Sequence, residues 1–264
     1  MTPFGPLRTA RLDVRFRELD FFAEMVLCQI PEALHERALT EFLEASIDPT
    51  KVSESPNHVT NPRLWTVQER MLGLAHYNLH VRPDAPNYSV TEASRLMDYL
   101  DNTLVPAEPS TFLVGDSPMF LGPLLGAMAE TIEMLHGEVL DEKGRVLSGR
   151  VHWMIGMMAA RCLHEGETHP CPVEATSAYE DWLKHRMLQV AKLSSSRHAE
   201  LYKQFGIANE KDVQFFRIWF DDLGIIALPR LSGDAKEAAG VIPAARFLIH
   251  SALGELALSL SGKS

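Results

Sequence analysis

Between Arg17 and Gln29, Leu19, Phe22, Ala23, Val26 and Leu27 recur at three- and four-residue intervals, and after Pro31 the pattern resumes through Ala33, Leu34, Leu39 and Phe42. Apolar residues at that spacing line one face of a helix, so residues 1–47 read as an amino-terminal helical pair. Over residues 48–64 the pattern gives way to Pro49, Ser53, Ser55, Pro56, Asn57, Asn61 and Pro62. Those residue types favour turns over packed elements, and the stretch reads as a linker. The remainder, 65–264, reads as one main helical domain.

Within that domain, Thr66 and Glu69 form a capping box, in which each side chain satisfies the other residue's backbone amide, and open a helix to about His80. Ser89 with Glu92 repeats the pattern before Ala93–Tyr99, and Ser177 with Glu180 before a helix over Tyr179–Leu193. Ser117 and Pro118 could begin a further helix whose secure part runs from about Leu124 to Gly137. A polar turn at Asp141–Gly144 precedes an apolar helix over Ser148–His164 that carries Trp153, Met154, Met157 and Met158, a set read as core. Arg197–Phe205 and Glu210–Leu223 read as helices stopped by Gly206 and Gly224. Ile225–Leu231 is the one good extended segment, and Ile242–Leu260 reads as a last helix with Leu248, Ala252, Leu256 and Leu260 on one face. The expected fold is mainly α, an irregular multi-helix bundle with long loops and at most one or two short strands.

Composition narrows the classes. With 264 residues, 46% of them hydrophobic and 23% charged, the chain has the makings of a folded globular protein. Its 35 acidic against 25 basic residues give a formal charge of -10, which opposes attraction to phosphate backbones and argues against nucleic acid as a partner. Three cysteines, Cys28, Cys162 and Cys171, are too few for a disulfide framework and fit a reducing compartment. Uncharged stretches such as Val151–Ala160 fall short of the ~20 apolar residues of a membrane span. The first ten residues, with Pro3, Gly5 and Pro6, resemble neither a secretory signal nor a transit helix.

Candidate chemistry concentrates in one loop. Cys162, His164, His169 and Cys171 place four metal-binding donors within ten residues around Gly166. Four nitrogen or sulfur donors suit one structural zinc, or iron, and would leave no open position for substrate. Their spacing differs from the paired cysteines of familiar zinc sites. Two other readings therefore stand beside the metal: ordinary residues with Cys162 as a small buried apolar group, and a Cys162–Cys171 redox pair. His76 and His80 lie four apart on one helix but lack the intervening glutamate of the zincin motif, and Glu133-x-x-His136 is half of a di-iron pattern whose other half is missing. No nucleophile elbow, phosphate-binding loop or dinucleotide fingerprint occurs, and no catalytic residue is assigned.

The stretch Asn61-Pro62-Arg63-Leu64-Trp65-Thr66-Val67-Gln68-Glu69-Arg70-Met71-Leu72, continuing to Ala75-His76-Tyr77, resembles tail or baseplate proteins of contractile-tailed bacteriophages. Arg17–Glu24, Pro31–Ala38 and Met97–Asp101 share the likeness, which covers about the first 100 residues. It implies a virion structural protein or assembly factor, made in the host cytoplasm, carried into the tail and bound to other tail or baseplate proteins in an oligomeric assembly. It carries no catalytic or ligand residue across. Two alternatives come from the residues themselves: a metal-dependent enzyme built on the Cys162–Cys171 loop with Glu165 or Glu167 as base, and a metal-free helical adaptor.

Overall fold

The computed structural model describes residues 4–51, 55–101, 109–231 and 242–262. Two short strands, β1 (Pro6–Arg8) and β2 (Asp13–Arg15), pair antiparallel before the helices α1 (Phe21–Cys28) and α2 (His35–Ser46). After α3 (Val67–Val81) come β3 (Ser89–Thr91) and β4 (Ser94–Arg95), then the hairpin β5 (Ser110–Val114) and β6 (Ser117–Leu121). The helices α4 (Gly126–Met134) and α5 (Gly149–Arg161) lead into β7 (Cys162–His164), which joins β6 to make a three-stranded sheet. The chain continues through α6 (Thr176–Ala191), α7 (Ser195–Asn209), the hairpin β8 (Arg217–Phe220) and β9 (Ile225–Leu228), and α8 (Glu255–Ser261). No described helix is long and apolar enough to cross a membrane.

This corrects the mainly α expectation: the described residues form eight helices and nine strands, the strands in four small antiparallel sheets, so the fold is mixed α and β. The strands are two to five residues long, too short for an alternating pattern to stand out. Ser117–Leu121 is a strand and not a helix start. Pro118, which cannot donate to a ladder, sits where β6 faces only β5, because β7 pairs no further than Met119. Ser89 opens β3 in place of a capping box. In place of the expected helix over Glu210–Leu223, α7 has ended at Asn209 and the chain runs into β8, whose Ile218 and Phe220 are buried while Arg217 and Trp219 are half-buried. The change of course is enforced at Phe215, which is buried and held at φ 66. In place of a helix over Ile242–Leu260, the described part from 242 onward has a single-turn helix at Ile249–Ala252 and then the short α8.

Three further readings change: Ala93–Tyr99 is β4 and a single-turn helix at Leu96–Asp98, α6 begins at Thr176 after Ala175 without a side-chain cap from Ser177, and α7 runs through Gly206 to Asn209. The capping box of Thr66 and Glu69 is present at α3, and Asp141–Gly144 turns the chain into α5 through its Oδ1, which accepts from the Lys143 and Arg145 amides. Along α5, Trp153, Met157 and Met158 are buried and pack the helix against α4 and α6. At its end, the buried Arg161 donates to Gly122 O at 2.9 Å and pairs with Asp212, fastening α5 to the loops beside β6 and α7.

Candidate functional site

The Cys162–Cys171 loop is built without a gathered ligand set. Cys162 lies in β7 opposite Leu121 and is buried in the core, where loss of solvation pushes its thiol up to about 12. His164 is exposed at the strand end, and its amide donates to Glu167, which pairs with Arg186 of α6 at 3.1 Å. His169 packs against Tyr179 and Trp182, with ring centroids 5.4 and 5.3 Å away, and its Nδ1 donates to the Pro170 carbonyl. Cys171 is half-buried and its carbonyl accepts from Ala175 at the head of α6. Among the described residues, no group of three or more His, Cys, Asp and Glu side chains is placed to hold a metal ion. An ion pair and aromatic packing hold the loop instead.

The other histidines of the sequence reading are also tied to backbone. His76 Nε2 donates to the Gly5 carbonyl and His80 Nε2 accepts from the Gly5 amide at 3.0 Å, so the pair clamps the segment before β1 onto α3. His136 Nε2 accepts from Gly149 at 3.1 Å, which joins the end of α4 to the start of α5.

The described residues enclose a cleft of about 520 Å³, within the usual size of a ligand or anchor pocket. Its walls come from five places: the end of α1 and the start of α2, the end of α4, Trp153 of α5, the β8–β9 turn, and residues 246–250. Most of the lining is apolar, with Leu27, Ile30, Ala38, Leu223 and Leu248 among it. The β8–β9 turn is a four-residue loop in which Asp221 Oδ1 accepts from Leu223 and Gly224. This places Leu223 on the cleft rim. Arg246, also in the lining, is paired with Asp221 and donates to the Ile225 carbonyl.

The polar groups of the cleft have assigned tasks. Leu34 at the head of α2 offers no side-chain cap, and Glu133 of α4 supplies one: its carboxylate accepts from the Glu36 amide at 2.8 Å and the Arg37 amide at 3.1 Å. Burial and then the neighbouring Glu36 carboxyl push the Glu133 carboxyl up to about 8, against the pull of those two amides. Burial, followed by Arg246 and Arg70, lowers the His35 imidazole to about 3, so it lines the cleft as a neutral ring.

Behind the cleft lies a polar core with no local sequence signature. Arg70 of α3 is fully buried; its Nη2 donates to the Glu36 carbonyl at 2.5 Å and to Thr40 Oγ1 at 2.8 Å. Its Nη1 lies 3.4 Å from Glu36 Oε2 and 3.8 Å from Glu130 Oε1. Arg63 approaches Glu130 at 3.2 Å, and Thr40 donates to it. This network fixes α2, α3 and α4 against one another and so sets the back wall of the cleft.

Beside the cleft, α1 packs on α8, and Glu24 accepts the Gly254 amide at 3.0 Å. Both helices leave large apolar side chains in solvent: Phe22 is 78% exposed, and Leu256 and Leu260 are each 63% exposed. On the cleft rim Leu223 is 73% exposed. Compared with protein-family models, with curated proteins and with solved structures, the chain matches none.

Proposed function

We propose that this chain is a structural component or assembly factor of a contractile phage tail or baseplate, working through protein contacts made at the α1–α8 surface and the adjoining cleft. The observation that carries the reading is the surplus of exposed apolar side chains, Phe22, Leu223, Leu256 and Leu260, next to a cleft with apolar walls. Leaving such groups in water forgoes roughly 25 cal/mol per Å² of apolar surface that a partner would bury. Arg17–Glu24 and Pro31–Ala38, which share the likeness to tail proteins, supply the start of α1 and a wall of the cleft. In this reading the chain assembles in the host cytoplasm and then resides in, or delivers partners to, the tail. No metal is required, since Cys162 is buried and His169 is packed on two aromatic rings.

The test is affinity purification of the tagged chain co-expressed with the tail and baseplate proteins of its own genome. Wild type should retain one or more of those proteins, and Phe22→Ser/Leu256→Ser should lose them. A wild-type chain that elutes alone, and is also missing from assembled particles, would refute the reading.

A further inference from the structure

We infer that the cleft between α1, α2 and the β8–β9 turn seats an amphipathic helix with basic flanks, carried by a partner protein. This rests on the reading that the chain acts through protein contacts, and it adds the chemistry of what is contacted.

Three observations point to that occupant. The first is shape: the cleft holds about 520 Å³ and its apolar lining comes from helix sides, a turn and a single-turn segment. An amphipathic helix fills such a groove with anchors at i, i+3, i+4 and i+7. An added strand would need a free sheet edge, and the β8–β9 hairpin reaches the cleft only through its turn residues Asp222 and Leu223.

The second is charge. Residues 18–34 contain Glu18, Asp20, Glu24 and Glu32 and neither Lys nor Arg, and residues 247–262 contain Glu255 and again neither. Asp222 adds a carboxylate at the turn. Arg246, the one Lys or Arg in the lining, is already engaged with Asp221. An apolar cleft whose lining carries the carboxylates of Glu32 and Asp222, on a chain of net charge -10, attracts a basic segment. The same carboxylates repel an anionic lipid surface.

The third is the continuity of the apolar surface with the cleft. Leu27 at the end of α1 lines the cleft, while Val26, the residue before it, and Phe22, about one turn before Val26, are exposed on the adjoining face of the helix. A seated helix can therefore extend from the cleft along α1.

The probe is a fluorescein-labelled helical peptide of leucine and lysine with leucines at the anchor spacing. Two controls go with it, one with glutamate replacing lysine and one with the same composition in permuted order. Anisotropy is read against the full chain at low and high salt. The basic amphipathic peptide should bind, more weakly at high salt, and the permuted and acidic peptides should bind at least about tenfold more weakly. Leu223→Ser/Leu248→Ser, at exposed positions where folding is checked by circular dichroism, should weaken binding about tenfold. Glu32→Lys/Asp222→Lys should weaken it about threefold or more and flatten the salt dependence.

Equal binding of the three peptides, or unchanged binding in Leu223→Ser/Leu248→Ser, overturns the inference. So does a wild-type dimer in light scattering that Leu223→Ser/Leu248→Ser dissolves, because the occupant is then a second copy. Binding to anionic vesicles in preference to the peptide overturns it as well. If the peptide fails while tail proteins still co-purify, the occupant is wrong and the function stands; if co-purification fails too, the function reading falls with it.

Discussion

Arg70 shows how one buried charge organises this protein. Removing a guanidinium from water costs several kcal/mol, and that cost is offset only if its donors and its charge are met. Thr40 and the Glu36 carbonyl meet the donors of Nη2, and the Glu36 and Glu130 carboxyls meet the charge, from two helices, while Nε and Nη1 make no hydrogen bond among the described residues. Gly126 leaves the space that the guanidinium occupies: a Cβ there would overlap its head and lie 2.7 Å from its Cδ. Gly126→Ala should therefore lower stability by about 1–3 kcal/mol in urea unfolding, and a wild-type midpoint would show that Arg70 can shift without loss. Glu133 makes a second prediction at this scale. Its carboxyl is raised from 4.5 to about 8 in the fold, so between those values the folded state keeps a proton that the unfolded chain has released. The contribution of this group to stability therefore falls as pH rises through that window. From pH 6.5 to 8 the lowered histidines, His35, His76 and His152, act with the opposite sign, because the fold gives up their protons before the unfolded chain does. The slope of Tm against pH over that range should be more positive in Glu133→Gln, and an unchanged slope would assign the pH dependence to other groups.

At the scale of elements, the β8–β9 hairpin shapes the cleft rim. Aromatic and branched residues from Phe215 to Phe220 favour extended backbone, and Asp221 closes the turn with its side chain while Gly224 takes φ 137. A Cβ at Gly224 would meet Arg246 Nη1 at 2.8 Å and the Trp153 ring at 3.2 Å. Gly224→Ala combines a backbone region almost reserved for glycine with those contacts. It should cost about 1–3 kcal/mol and displace two cleft residues together. Weaker peptide binding alongside the lower Tm is the expected result, and unaltered binding would mean that the turn does not shape the cleft. The hairpin was partly legible: Asp-Asp-Leu-Gly between two apolar runs is a turn pattern, but Glu210–Leu223 has enough helical spacing to hide it. The helix cap made by Glu133 was not legible, because its donors are Glu36 and Arg37, nearly a hundred positions earlier.

At the scale of the whole molecule, the surface proposed for contacts lies outside the core that holds the fold. Phe22 and Leu256 are exposed and contribute little to the core. Phe22→Ser/Leu256→Ser should shift unfolding by no more than about 0.5 kcal/mol per site while abolishing retention of partners. A large fall in Tm would show that these residues pack the fold instead of serving contacts. The contrast with Arg70, where one added methyl is expected to be felt in the fold, follows from burial alone.

Sequence by itself determined what closes within a few residues. The box of Thr66 and Glu69 and the turn at Asp141 have their partners within a turn or two, so a short window contains the whole interaction, and the apolar spacing along α5 marks its buried face without showing what covers it. The acidic balance and the candidate donors at Cys162, His164, His169 and Cys171 are likewise matters of composition and spacing. Tertiary structure alone decided the sheets, because β6 needs β7 from more than 40 positions later. It turned Cys162 into the core and His169 onto Tyr179 and Trp182. It also assembled the cleft from residues between Leu27 and His250. Helix bonds and local caps such as that of Thr66 and Glu69 are made between neighbours in the chain, whereas the α2 cap from Glu133, the buried charges and the cleft are satisfied by neighbours in space.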